Sequence, residues 1–538
     1  MRRLTLSLFF LLAVLFDTPA RAFTTRQLTF TPASSRVTVN GTARALTMAP
    51  FMLGSRLLVP LLDTVNLLEL AAPDLTGVPL DETAATQVDG TTFVDARWLA
   101  GALGAALDVT PLGMTFTVTR APQIDPAAPQ ARFTTDKLTY APGEKVNVVD
   151  YSFDPDGVAI TKRNWEGLRD AYFTPGVYPI RLQVTNAQGK VSSAFTRTIT
   201  VQGEAVSTPL DFALRHTAVG DMFSDPDILT YRMLSASGRD EPDFPLLFSD
   251  SPEKPTRPGV LYRDVIGGRA RVVAHHVNGL AAPARVYVIA RNLETHEVAL
   301  RTTRTGETAP TRIVGTLGQV TLMDYFSGEQ HSLLMLPPGR AMPLYASPLL
   351  TPGSGVNLMQ DLLASGRVEV SFVILPEGTF PTPDVLAALE VLPPDGLHVR
   401  GTFPSAVRHL RVDLDGKLPA RLNLGDGRAD TSLQGVDALT GAPVKLNGNY
   451  GLLYRIEVLN AAGTVVALSP RGGGYRGAMQ LTDGAMSATL RVPRSGVLSS
   501  AVAPVLLWRA QDAALRFDFV PASGSSLPVA LIFYRSPR

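Results

Sequence analysis

The chain has 538 residues, 45% of them hydrophobic and 18% charged, with a formal net charge of +1. That length exceeds what one core organises and implies about three to five domains of ~100–200 residues. The near-neutral balance gives no argument for nucleic acid or for an acidic partner. The absence of Cys excludes disulfides, thiolate metal sites, a Cys nucleophile and a lipid-modified N-terminal Cys.

Residues 1–22 read as an export signal. Arg2 and Arg3 give a basic start, 4–16 is an apolar run, and Ala20-Arg21-Ala22 is a small-x-small cleavage site, so the mature chain is expected to begin at Phe23. The run is short of the ~20 residues that span a bilayer, which makes a retained anchor the less favoured alternative. No later stretch is long and apolar enough for a spanning helix. An exported chain without disulfides relies on its cores, which suits a bacterial cell envelope, periplasmic or extracellular.

The first hundred residues repeat a unit. Residues 36–40 alternate around Val37 and Val39 and end at Asn40-Gly41, a hairpin signal. Residues 54–61 then form a strand running into a helix that Pro60 starts. A second copy begins 35 residues later at 89–96, where Asp95 is placed to cap a helix. Ala96, Leu99, Ala100 and Leu103 share a helical face, and the same offset maps Leu61, Thr64, Val65 and Leu68 onto them. Gly104 stops the second helix, and 115–119 closes the unit with Phe116 and Val118 on one strand face. Residues 121–130 have the composition of a semi-rigid linker.

The runs VTVNG (37–41), LLVPL (57–61), TFVDARWLAGALGA (92–105) and TFTVT (115–119) resemble the copper amine oxidase N-terminal-like domain, a small α+β stalk module of exported bacterial proteins that carries no copper and no quinone. Leu62-Asp63 departs from the basic residue usual there. From 131 to 203, SFDPDG (152–157), Trp165, PGVY (175–178) and LQVTNAQG (182–189) mark short strands between turn clusters, with Trp165 as core aromatic. This set resembles a PKD-type immunoglobulin-like β-sandwich, a spacer or adhesive module. Asp154 and Asp156 are read as a turn rather than a calcium site.

Beyond 206 the pattern is strands and turns. Residues 285–290 and 368–375 are near-continuous apolar strands. Residues 260–262 and 271–277 read as two strands joined by a Gly267-Gly268 turn, and 356–364 and 383–391 carry helical signals. The Pro393-Pro394-Asp395-Gly396 cluster is the best internal boundary. The expected domains are therefore 1–22 signal, 23–120 stalk, 121–130 linker, 131–203 sandwich, and two β-rich, sandwich-like domains at 206–392 and 393–538. The fold class is mainly β and multidomain.

No catalytic, cofactor-binding or metal-ligating set is assigned, and no cofactor is expected. An amine oxidase would need Thr and an acid around the Tyr of Asn449-Tyr450, where Leu446 and Gly451 stand. The seven His (216, 275, 276, 296, 331, 398, 409) form no HxH pair. Adjacent His275 and His276 should point to opposite faces of a strand, one buried and one exposed. Ser251-x-x-Lys254 has the spacing of a serine nucleophile with its base, but Pro255 and Pro258 break any helix, so a plain turn is preferred. Residues 472–474 lack the GK[ST] ending of a phosphate loop. Asp413, Asp415, Asp426 and Asp430 lack calcium-loop spacing and read as solvated turns. Asp250, Glu253 and Asp264 are carboxylates whose pairing in space sequence does not reveal.

The resulting expectation is a non-enzymatic envelope or secreted protein presenting a β-rich region to envelope polysaccharide or another surface protein, with no nucleic-acid partner and no transmembrane segment after signal removal. The alternative is a carboxylate-dependent glycan-active enzyme within 206–538.

Overall fold

A computed structural model describes residues 24–68, 85–103, 105–110, 113–120, 127–328 and 331–537. The expected signal at 1–22, Gly104 and linker residues 121–126 lie outside them. The fold is mainly β and divides into two compact units: residues up to 134 with 149–166 and 181–197, and residues 135–148, 167–180 and 198–538.

In the first unit the central strand Thr24–Phe30 lies between Arg36–Val39 and Gly113–Arg120 in a five-stranded sheet. Its alternation buries Leu28 and Phe30, and the Phe30 ring meets Phe116 edge-on at 5.7 Å. A four-stranded sheet carries Arg56–Pro60 and Thr91–Asp95, each leading directly into a helix, Leu61–Leu67 and Ala96–Leu103. Asp95 caps the second helix by accepting the amides of Arg97 (2.8 Å) and Trp98 (3.3 Å). Thr64, Val65, Leu68, Leu99 and Ala100 are buried at the spacing the periodicity implied, and Leu62 is exposed.

Among the sandwich strands, Trp165 is opposite Leu182 but only half-buried. Phe133 is fully buried where Trp165 is not; it touches Trp165 at 4.9 Å and Phe195 at 5.5 Å. Asp154 accepts the Asp156 amide and the Asn186 side chain, the geometry of a turn.

In the second unit two long strands, Gly259–Val277 and Gly355–Pro376, pair antiparallel from Gly259↔Ile374 to Val277↔Gly355. The turn expected at Gly267-Gly268 is instead a bulge inside one continuous strand, with the register shifting between Ile266 and Gly268 and Gly268 at φ 75°. A Gly-Gly step accommodates such a kink without ending the strand. The helix expected at 356–364 is strand as well. Its Leu, Met, Gln and Ala favour helix, but it is paired on one side to Gly259–Val277 and on the other to Val298–Glu307, and ladder formation overrides propensity. The helical signal at 383–391 is realised as Pro383–Ala388, capped by Thr382. Helices Pro209–His216 and Val314–Ser327 were not anticipated.

Stretches from both sides of residues 392–396 share all three large sheets. Leu246–Ser249 pairs with Arg400–Phe403, Ser237–Asp240 with Val407–Asp413, and Arg232–Met233 with Ala420–Leu424. One buried cluster joins Leu246, Phe248 and Val273 to Phe403, Leu453 and Phe519.

Candidate functional site

A six-stranded sheet runs Ser237–Asp240, Val407–Asp413, Leu453–Leu459, Ala514–Phe519, Gly477–Asp483, Met486–Val492. Its four inner strands alternate over the stretches that border the groove. Leu410, Val412, Ile456, Val458, Phe517 and Leu481 enter the core, so the intervening residues must form the opposite face. The register aligns that face into two rows. Arg239, His409, Arg455, Asp518 and Gln480 are successive cross-strand partners, as are Ser237, Arg411, Glu457, Arg516 and Thr482. Arg304 borders them, its guanidinium 5.1 Å from the Tyr325 ring. Together these residues line an open groove of about 1070 Å³.

The groove carries five arginines against two carboxylates, Glu457 and Asp518, an excess of three positive charges. Its ion pairs are long: Arg411–Glu457 at 3.9 Å and Arg516–Asp518 at 3.5 Å. Arg239 and Arg304 make no ion pair among the described residues. Glu241, at the edge, is 3.2 Å from His409 and 3.9 Å from Arg455, and bonds Arg269 at 2.6 Å. Burial alone would raise its carboxyl, but Arg269, His409 and Arg455 hold it below the usual carboxylate range. Glu241 and Arg269 offset each other, so the excess persists. Alternate strands are ~10 Å apart, so Arg239 and Arg455, or Arg411 and Arg516, are spaced to hold acidic groups about one disaccharide apart. The guanidinium fork matches carboxylate, sulfate and phosphate.

The residues singled out from sequence fall elsewhere. Ser251 is buried, and its hydroxyl exchanges hydrogen bonds with Asp395 (3.2 and 3.1 Å) rather than serving Lys254. His275 and His276 are both buried, at 1% and 0% exposure. The expectation of one exposed ring fails because this part of the sheet is covered on both faces. His276 donates from Nδ1 to the Pro252 carbonyl (3.0 Å) and accepts Ser249 Oγ at Nε2 (2.9 Å). Burial lowers its pKa to about 3. Ser249 is itself 0% exposed and a carbonyl holds Nδ1, so this pair is structural. Asp250 and Glu253 come together near His275, and burial, with Glu253 and Asp395 nearby, pushes the Asp250 carboxyl well up. Asp264 instead accepts from Thr402.

Asp413 bonds Asn460, Asp415 bonds Arg232, and Asp426 closes a turn on the amides of Arg428 and Asp430. Asp430 is not a solvated turn residue. It is buried against Arg408 (2.7 Å) and Tyr454 (2.6 Å). Tyr450 donates to the Ser525 carbonyl (2.8 Å), with burial raising its pKa to about 12. The 472–474 glycines form the bend between Thr464–Pro470 and Gly477–Asp483. The arginine rows were missed. The alternation of His409, Arg411 and Asp413 was the local signal, but the rows exist only once distant strands pair.

No protein-family model matches the chain, and no curated protein matches it. Among solved structures, a carbohydrate-binding module of the β-sandwich superfamily is 14% identical, covering 46% of this chain and 97% of its own, with a TM-score of 0.14. Vicilin from tomato (Solanum lycopersicum) is 10% identical over 54% of this chain and 84% of its own, TM-score 0.10. Tripeptidyl peptidase 2 is 10% identical over 79% and 34%, TM-score 0.13. At such scores none of them bears on the fold or the function of this chain.

Proposed function

We propose that the chain is an exported, non-enzymatic envelope protein whose second unit binds an acidic polysaccharide along the arginine-lined sheet face. The observation that carries this reading is the pair of registered rows, whose four guanidinium groups, with Arg304 beside them, surround one open groove with an excess of three charges. Among the described residues no Phe, Tyr or Trp lines the groove, so it lacks the usual stacking platform for neutral sugars, and its chemistry favours charge-assisted bonds to uronate, sulfate or phosphate groups. The stalk-like and PKD-like resemblances of 25–120 and 131–203 fit a role as spacers for the β-rich region that begins at 206, and the 1–22 segment fits export.

The test is a panel of immobilised glycans probed with the purified chain. Polygalacturonate, sulfated glycans and phosphate-bearing glycans are expected to retain it, while dextran and other neutral glycans are not. Retention on neutral glycans alone would defeat the proposal. The rival, a carboxylate-dependent glycan-active enzyme, rests on the proximity of Asp250 and Glu253. Shortening of a bound glycan on incubation, abolished by Asp250→Asn, would establish it.

A further inference from the structure

A second cluster lies apart from the arginine face. Asp250 and Glu253 belong to the loop after Leu246–Ser249, and His275 to the Gly259–Val277 strand. One ligating atom from each lies within 4.8 Å of the other two. We propose that Asp250, Glu253 and His275 form a binding site for a divalent transition-metal cation, of the Zn²⁺ or Mn²⁺ type.

His275 supplies the independent observation. Its ring is 1% exposed, and Nε2 is buried without a hydrogen-bond partner. Nδ1 is 3.2 Å from Asn357 Oδ1, an oxygen that only accepts, so Nδ1 bears the proton and Nε2 presents its lone pair. That is the second-sphere arrangement that orients a ligating imidazole. The Asn357 backbone is anchored, its N–H donating to Thr308 Oγ1 and its backbone carbonyl accepting from the Thr321 hydroxyl. Asp250 Oδ1 is likewise buried and unpartnered. Glu253 is steered by His398, whose Nε2 is 2.8 Å from Oε2 and whose Nδ1 is 2.8 Å from Asp395. Two buried, unpartnered ligand atoms and a second carboxylate therefore converge on one point.

Mixed oxygen and imidazole donors suit Zn²⁺ and Mn²⁺ better than Ca²⁺ or Cu⁺. Bond lengths of ~2.0–2.2 Å require the three atoms to close slightly around the ion. Asp250 and His398 also line a pocket of about 510 Å³, which gives the ion a route to solvent. A bound cation would tie the 249–254 loop to the strand beneath it.

The test uses the full chain stripped with chelator, then titrated calorimetrically with Zn²⁺ and, separately, Mn²⁺. One site per chain is expected, with a rise in Tm because the ion binds the folded state. Asp250→Asn and Glu253→Gln, near-isosteric and partly exposed, are expected to weaken binding by about 100-fold, and Asn357→Ala by about 10–100-fold, with circular dichroism of the metal-free variants unchanged. Asp426→Asn, in the same pocket, should bind as the parent does. Anomalous scattering at the zinc edge should place the ion against His275 Nε2. The proposal falls if the folded chain binds neither ion with a Kd below about 1 mM, if the ion binds equally well to both carboxylate variants, or if the anomalous peak lies elsewhere.

Discussion

Arg271 shows how much of this protein rests on buried charge. Its side chain is 0% exposed, chelated by Asp361 (2.6 and 2.9 Å), with further bonds to Tyr325 and the Ala406 and Gly451 carbonyls. Replacing Arg271 with Met fills similar volume but strands Asp361 and two carbonyls, so a loss of about 3–5 kcal/mol is expected in denaturant titration. A second residue, Asp483, makes a prediction that depends on pH. Burial alone would raise its carboxyl, but the Gln511 amide (2.9 Å), Trp508 Nε1 (2.9 Å) and the Asp512 amide (3.0 Å) hold it below the ordinary range. A carboxyl lowered in the folded state contributes stability above its unfolded pKa of ~3.9 and loses it as pH falls through the folded value. Asp483→Asn should therefore cost about 1–3 kcal/mol at pH 7. The gap to wild type should narrow below about pH 4, and denaturant curves at pH 7 and pH 3 check it. Neither residue stood out in the sequence, where both are ordinary charged residues of a strand.

At the level of elements, local pattern was legible where local chemistry decides the outcome. Asp95 caps its helix, and Thr64, Val65, Leu99 and Ala100 are buried at helical spacing. It failed where a distant partner decides. Residues 356–364 have helix-forming composition and lie between two partner strands. The Val314–Ser327 helix is spelled with Gly315, Gly318 and four Thr or Val residues, poor helix formers that concealed it. Gly318 has a packing reason: a Cβ there would stand 2.3 Å from the Ser523 carbonyl oxygen. Although Ala favours helix, Gly318→Ala is expected to destabilise by about 1–3 kcal/mol through overpacking. The exposed control Gly328→Ala, with nothing within 4 Å, should not. Paired thermal melts distinguish the two.

For the whole molecule, a net charge of +1 gave no argument for an acidic partner, yet one groove concentrates three excess positive charges. Arg239, Arg411, Arg455 and Arg516 come from four separate stretches, and no window of sequence contains them together. Only register brings them into rows. The candidate cation cluster was half legible, since Asp250 and Glu253 were marked as carboxylates, but His275 was set aside on the assumption that one ring of the adjacent pair is exposed. The most direct measurement is the affinity of the full chain for polygalacturonate against that of the Arg239→Ala, Arg411→Ala, Arg455→Ala, Arg516→Ala quadruple variant. These side chains lie on the solvent face, so the fold should survive. At least about a hundredfold loss, ~2.8 kcal/mol, is expected, with wild-type binding that weakens as salt screens the groove. An unchanged affinity in the folded quadruple variant would contradict it.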